Sequence, residues 1–243
     1  MHRGSPRRTS GSTSLHLSDA RLRQRKRYDK MKIAIVGAGK MAQTLTPLFV
    51  EAGHEVRLSN SRGPESLAEL VENLGPGVQA ATVPDAVEGA DLVLLATPWG
   101  RTAEAASAVA DWSGRVVIDG TNNRSAPGPA GLIDIGDRIS SEVVAEYVPG
   151  AKLVKAFNVT PLFKLGPALG SGAGEDNAVF IAGDDEQAKA LVGELIASIG
   201  GAAIDTGDLH TGGFLQGMTG PLAGTLEMLT PTEARARLAQ AQN

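Results

Sequence analysis

Residues 32–42 read Lys32-Ile33-Ala34-Ile35-Val36-Gly37-Ala38-Gly39-Lys40-Met41-Ala42. An apolar run of strand character ends in a glycine, and the next residues complete the pattern G-x-G-x-x-A. Met41, Leu45, Leu48 and Phe49 then recur at helical spacing until Gly53. A glycine pattern placed between a strand and the start of a helix is the context in which it cradles a dinucleotide pyrophosphate. Gly37 permits the tight turn, Gly39 lets backbone approach a phosphate, and Ala42 keeps helix and sheet close. The helix start offers Ala38, Lys40 and Met41 amides and a positive dipole end to the same anion.

Working outward, apolar runs alternate with helical segments. Strands are expected at 55–58, 78–81, 91–96, 115–118 and 152–157, and later at 178–181 and 202–204. Leu67, Leu70, Val71 and Leu74 mark a helix after Pro64, and another is expected over 186–198. The run Leu92-Val93-Leu94-Leu95-Ala96 is unbroken, as suits a parallel strand buried on both faces. The expected fold is α/β, a Rossmann-type doubly wound parallel sheet with a small C-terminal α/β cap. Its parts are a disordered basic tail (1–30), an NADP-binding domain (31–160) and a C-terminal extension (161–243). The stretch 221–243 reads as helical but weakly specified.

Composition narrows the function. The 243 residues include no cysteine, which excludes a cysteine nucleophile, a thiolate zinc site and an iron–sulfur cluster. No apolar run approaches the ~18–20 residues of a membrane helix, so no membrane partner is expected. The reducing cytoplasm is the default compartment. Residues 1–30 carry nine of the 23 Lys and Arg against two of the 27 Asp and Glu, a charge of +7. The rest of the chain is then −11, and an acidic body with 4% aromatic residues argues against nucleic acid as a partner. The tail lacks the hydrophobic periodicity of a folded segment. Arg7-Arg8 is not followed by the apolar stretch of an export signal, and Met31 lies where a natural start would fall.

The second strand leads into Ser59-Asn60-Ser61-Arg62, without the acid that holds a ribose diol in NAD sites. Ser61 offers a hydroxyl and Arg62 a guanidinium suited to a 2′-phosphate, which favours NADP. No catalytic constellation stands out. His2 and His16 lie in the tail, and His54 in a helix–strand turn reads as structural. His210 lies in a loop that could face a second ligand. No histidine pair has metal-ligand spacing, so no metal is expected. Ser140, Ser141 and Ser171 have no base in a recognisable motif. Asp119 and Asp205 end strands, where Asp119 could orient a ribose or a loop. Asp184-Asp185 precedes a helix in an N-cap position. Phe157 reads as core.

The ordered blocks Ile35–Gly39, Ala52–Val56, Asn60–Leu67, Ala96–Trp99, Asp119–Asn122, Pro149–Asn158 and Ile181–Asp185 resemble the NADPH-dependent reductases of coenzyme F420, a deazaflavin. The resemblance covers about residues 32–228, and the N-terminal domain is shared with pyrroline-carboxylate reductases. It implies that Ser61 and Arg62 grip the 2′-phosphate and that Thr97, Pro98 and Trp99 wall the ribose and nicotinamide. It places Asn158 in the cleft between nicotinamide and deazaflavin, and Leu209–Leu215 in a loop over the second ligand. A homodimer is also implied. Two departures fall near that cleft: Gly120 and Asn123 stand in a block that is usually Asp-Ala-Thr-Asn-Pro, and Val159 precedes Thr160 where the family has threonine directly.

The expected function is hydride transfer between NADPH and coenzyme F420 or a related flavin. The chemistry asks mainly for positioning and exclusion of water. Two alternatives are a small NADPH-dependent imine or keto reductase and a non-catalytic NADP-binding sensor. Only 84 residues follow position 159 and they begin with strand-like runs, which weighs against the long helical domain of the imine-type enzymes.

Overall fold

The apolar runs form a single sheet. In the computed structural model, which describes residues 28–126, 131–170, 176–223, 225 and 227–242, the strands are β1 (Lys32–Val36), β2 (Glu55–Ser59), β3 (Val78–Ala81) and β4 (Leu92–Leu95). They continue with β5 (Val116–Asp119), β6 (Lys152–Ala156), β7 (Asn177–Gly183) and β8 (Gly201–Asp205). Their order is β3-β2-β1-β4-β5-β6-β7-β8. Strands β1 to β6 are mutually parallel.

Period-two alternation gives β1 two buried faces. Ile33 and Ile35 join one core with Phe49, Leu94 and Val192. Ala34 and Val36 join the opposite core with Trp112, Val117 and Val144. The helices that supply these layers are α1 (Lys40–Glu51), α2 (Ala68–Leu74, after a 3-10 turn at Pro64–Leu67), α3 (Val83–Val87), α4 (Trp99–Ser107), α5 (Ser140–Tyr147), α6 (Leu162–Gly170) and α7 (Glu186–Ser198). Thus the α/β doubly wound architecture expected from the strand pattern is present. Asp185 caps α7 by accepting a hydrogen bond from the Ala188 amide at 2.8 Å.

The C-terminal strands extend the same sheet, with one reversal: β7 pairs antiparallel with β6 and parallel with β8. Ala178, Phe180 and Ile204 then form a third buried cluster with Leu215, Leu222 and Ala234. The last two helices, α8 (Thr211–Gln216) and α9 (Pro231–Ala241), cover it. A Thr230–Glu233 capping box starts α9, so the helical part of 221–243 is confined to its second half. The expected basic tail falls outside the described residues as far as residue 27, as does Ser171. Among the described residues no helix is long and apolar enough to cross a membrane.

Candidate active site

Six parallel strands, β1 to β6, end on the same edge of the sheet, and the strand order reverses between β1 and β4. The crevice beyond the carboxyl ends at such a reversal is where open α/β sheets hold ligands. The glycine turn after β1, the Ser61-Arg62 loop after β2, Thr97–Trp99 after β4 and Asn158 after β6 lie along this edge.

Gly37 leaves β1 at φ +113, where an added Cβ would stand 2.5 Å from the Ala96 carbonyl oxygen. Only a glycine lets the β1 turn and the β4 end close to this distance. The Gly37 amide donates to the Ser59 carbonyl at 2.9 Å, which ties the turn to β2 as well. Gly39 is the N-cap of α1, with no side-chain cap, and α1 has no acidic residue in its first turn. A Cβ at Gly39 would meet nothing within 4 Å. The helix start therefore presents unpaired amides to open space, as an incoming pyrophosphate requires. Ala42 is fully buried under the turn, and Lys40 is exposed beside it.

Past β2, Asn60 organises the loop. Its Oδ1 accepts from the Arg62 amide at 2.9 Å, and its Nδ2 donates to Ser66 Oγ at 2.9 Å. Ser61 and Arg62 project from this loop as exposed residues, and no hydrogen bond engages either side chain among the described residues. A rigid loop carrying a free hydroxyl and a free guanidinium suits a phosphate monoester.

After β4, Thr97 and Thr102 share a hydrogen bond of 2.9 Å, and Pro98 caps α4. Pro98 is exposed and Trp99 is only 9% exposed, in the buried cluster that includes Val36, Leu95 and Leu209. Trp99 is thus part of the packing under the crevice, and Pro98 forms the outer edge of that wall.

The remaining expected residue, Asn158, is separated from the glycine turn by β4 and β5. Phe157 precedes it at φ +63, a left-handed conformation that a bulky residue adopts only under constraint. Asn158 Nδ2 donates to the Gln216 carbonyl at 2.9 Å and to Asn122 Oδ1 at 3.2 Å, and Asn122 Nδ2 donates back to the Asn158 carbonyl at 3.0 Å. The Gln216 carbonyl can only accept, which fixes the orientation of the Asn158 amide. Gln216 Nε2 in turn donates to Thr206 Oγ1 at 2.8 Å. Asn158 Oδ1 and Gln216 Oε1 are both buried and without a hydrogen-bond partner among the described residues.

Below this amide cluster sits a feature the sequence reading missed. Lys155 and Asp119 are both fully buried and face each other across β6 and β5, Nζ to Oδ2 at 2.9 Å. Lys155 Nζ also donates to the Thr121 carbonyl at 3.1 Å. Asp119 Oδ1 accepts from the Thr121 amide at 2.8 Å and from its hydroxyl at 2.6 Å. A lysine inside an apolar strand was the available signal, since a buried charge needs a partner. Asn122, Gln216 and Thr206 gave no comparable signal.

Two expectations change. The segment 209–215 is largely helical, because α8 spans Thr211–Gln216, and it is anchored by Ser141 Oγ donating to the Leu209 carbonyl at 3.1 Å. His210 is exposed and pairs with Glu142 at 2.9 Å. His54, by contrast, is buried as a structural residue. Among the described residues no group of histidines and carboxylates could hold a metal ion.

Gly120 explains one departure noted in the sequence. A Cβ there would stand 2.5 Å from Met41 Sδ, so the thioether of the glycine turn occupies the room an alanine methyl would take. The glycine turn and the β5 turn are therefore in direct contact.

The chain has recognisable relatives. The family described as coenzyme F420-dependent NADP oxidoreductases matches residues 32–123. The structure of a hypothetical protein from Sinorhizobium meliloti is 37% identical, with a TM-score of 0.74 over 82% of this chain and 95% of that one. A protein from Arthrobacter sp. FB24, described as an F420-dependent NADP reductase, is 30% identical, with a TM-score of 0.64 over 74% of this chain and 86% of that one. Metalloreductase STEAP3 from Rattus norvegicus is 28% identical over 180 residues, 73% of this chain. The chain spans about a third (34%) of the length of that curated relative.

Proposed function

The chain belongs to the coenzyme F420-dependent NADP oxidoreductases and is an NADPH-dependent oxidoreductase; from that premise we propose that it passes hydride between NADPH and a deazaflavin of the coenzyme F420 type. The observation that carries this reading is the division of the carboxyl edge. A cradle for one dinucleotide lies at β1 and β2, and an amide cluster that can orient a second planar ligand lies at β5, β6 and α8.

In this reading the amides of Ala38, Gly39, Lys40 and Met41 at the glycine turn hold the pyrophosphate, and Gly37 shapes the turn. Ser61 and Arg62 hold the 2′-phosphate, which sets the preference for NADP over NAD. Thr97 and Pro98 form the wall on which the ribose and nicotinamide lie, with Trp99 packed beneath them. NADPH, when bound, supplies hydride from C4 of its nicotinamide. The protein's own contribution is to stack the two rings in contact and to keep water from between them. Asn158 borders the meeting point of the two ligands. The hydride goes to a ring carbon of the deazaflavin and the charge it leaves there is met by a proton on a ring nitrogen, taken from solvent, so the reading asks no general acid of the histidines or carboxylates described above. Reaction in a cytoplasm that maintains NADPH would suit this chemistry.

The test offers the purified protein NADPH with coenzyme F420, a flavin or a cyclic imine in separate reactions, following loss of the reduced nicotinamide. Turnover with the deazaflavin supports the reading. Turnover with the imine alone would overturn it, and tight NADPH binding without turnover in any reaction would make the chain a sensor.

A further inference from the structure

The Lys155–Asp119 pair lies beneath the second-ligand side of the crevice, out of reach of any ligand. Both side chains are fully buried. Burying two charges is costly even when they pair, so their retention needs a reason beyond packing.

Their hydrogen bonds supply one. Nearly every contact of the pair converges on Thr121: its amide and hydroxyl go to Asp119, and its carbonyl accepts from Lys155. The turn Gly120–Asn122 is therefore held from three directions by one ion pair. That turn touches both halves of the site. On one side Gly120 packs against Met41 of the phosphate turn. On the other, Asn122 exchanges hydrogen bonds with Asn158, which is in turn fixed by the Gln216 carbonyl at the end of α8. Ordered this way, the pair links the dinucleotide cradle to the amide cluster through a single rigid turn.

We propose that Lys155 and Asp119 form a positioning pair that sets the distance and tilt between the nicotinamide and the hydride acceptor, through Thr121, Asn122 and Asn158. This inference rests on the two-ligand reading above. It adds two residues that touch neither ligand and act through the turn between them. A hydride transfer without acid–base help is governed by ring-to-ring geometry, so loosening this turn should affect the transfer step more than the binding of either ligand.

The test uses Lys155→Met/Asp119→Asn, which removes both charges together at similar volume and avoids leaving one charge alone. Thermal unfolding checks that the variant is folded, and Lys155→Met alone serves as a second variant. Three quantities are compared with the unchanged protein: NADPH affinity by nicotinamide fluorescence, turnover with deazaflavin, and the deuterium effect using NADPH labelled at C4. We expect NADPH affinity within about threefold. Turnover should fall by about ten- to a hundredfold, with a larger deuterium effect. Hydrogen exchange gives a readout that needs no acceptor: the segments 120–122 and 211–217 should lose protection together. Joint loss supports the pair's role even if deazaflavin is not the acceptor, which keeps failure of the functional reading separate. Unchanged turnover and unchanged exchange in the folded double variant would overturn the proposal. So would a loss of NADPH affinity equal to the loss of turnover, because the pair would then serve the cradle.

Discussion

Two buried polar clusters sit at opposite ends of the sheet, and they end differently. At the amino end, His54 accepts from the Met31 amide through Nδ1 at 3.1 Å, and its Nε2 lies 2.9 Å from Ser198 Oγ. Ser198 Oγ donates onward to the Leu195 carbonyl at 2.7 Å. The imidazole is therefore neutral with its proton on Nε2, and every group in the chain of bonds is satisfied. At the carboxyl end, the Lys155–Asp119 pair leads through Thr121 and Asn122 to Asn158, and the network stops at two amide oxygens without a partner among the described residues. A network that closes on itself fastens one element to another: here, β1 to α7. A network that ends in buried acceptors without partners has hydrogen-bonding capacity left over. The contrast separates a cluster that only fastens elements together from the one proposed to position ligands, although both are buried and polar.

The largest expected effect breaks the carboxyl-end cluster. Lys155→Met alone leaves Asp119 charged, buried and unpaired, and should cost about 3–5 kcal/mol of stability, read from the urea midpoint. A loss below about 1 kcal/mol would mean that Asp119 finds water or another donor, and the pair would lose its importance.

The next effect concerns selection of the cofactor. Arg62→Ala should weaken NADPH by about ten- to a hundredfold, the range of a hydrogen bond to a charged group, with little change for NADH. Equal weakening of both would remove Arg62 from the 2′-phosphate. Changes in the His54 cluster should leave this discrimination untouched.

A smaller effect tests the closed cluster. Burial lowers the His54 pKa below its ordinary value of 6.5. The unfolded chain then binds a proton that the folded chain does not, so stability is fully present above pH 6.5. It falls as the pH drops below that value toward the lowered folded pKa. His54→Asn should cost on the order of 1–2 kcal/mol at neutral pH and flatten this part of the pH–stability curve, without altering turnover. Chemical denaturation at a series of pH values reads the curve; an unchanged slope in the variant would show that another group titrates.

The smallest effect concerns the contact between the two halves of the site. Gly120→Ala places a methyl against the flexible end of Met41, which can give way. NADPH affinity should fall by less than about tenfold, consistent with mild overpacking. A complete loss of binding would show that the Met41 thioether has no room to move.

The comparison also explains what could be read from the sequence. The glycine turn was legible because its requirements are local. Gly37, Gly39 and Ala42 must occur at fixed spacing after a strand, and the absence of an acid before Ser61-Arg62 is visible in the same stretch. The strands were legible for a similar reason, since runs such as Leu92–Ala96 can hardly be anything else. The amide cluster was not, because its parts come from four distant segments: Asp119–Asn122, Lys155–Asn158, Thr206 and Gln216. Nothing local reveals that Asn122 faces Asn158, or that β7 reverses direction to bring Gln216 beside them. Lys155 was a missed clue, a charge set within Leu153-Val154 and Ala156-Phe157. The helix at 231–241 was under-read as well, although Thr230 and Glu233 stand at capping-box spacing.

The most direct test of the two-ligand account is transfer of label. NADPH carrying deuterium at the reactive C4 position is incubated with the protein and coenzyme F420, and the reduced deazaflavin is examined by mass spectrometry. Direct ring-to-ring transfer places the deuterium on carbon, where it does not wash out, and predicts one label per reduced deazaflavin. Reduced deazaflavin without label, or NADPH bound tightly and never oxidised, would contradict it.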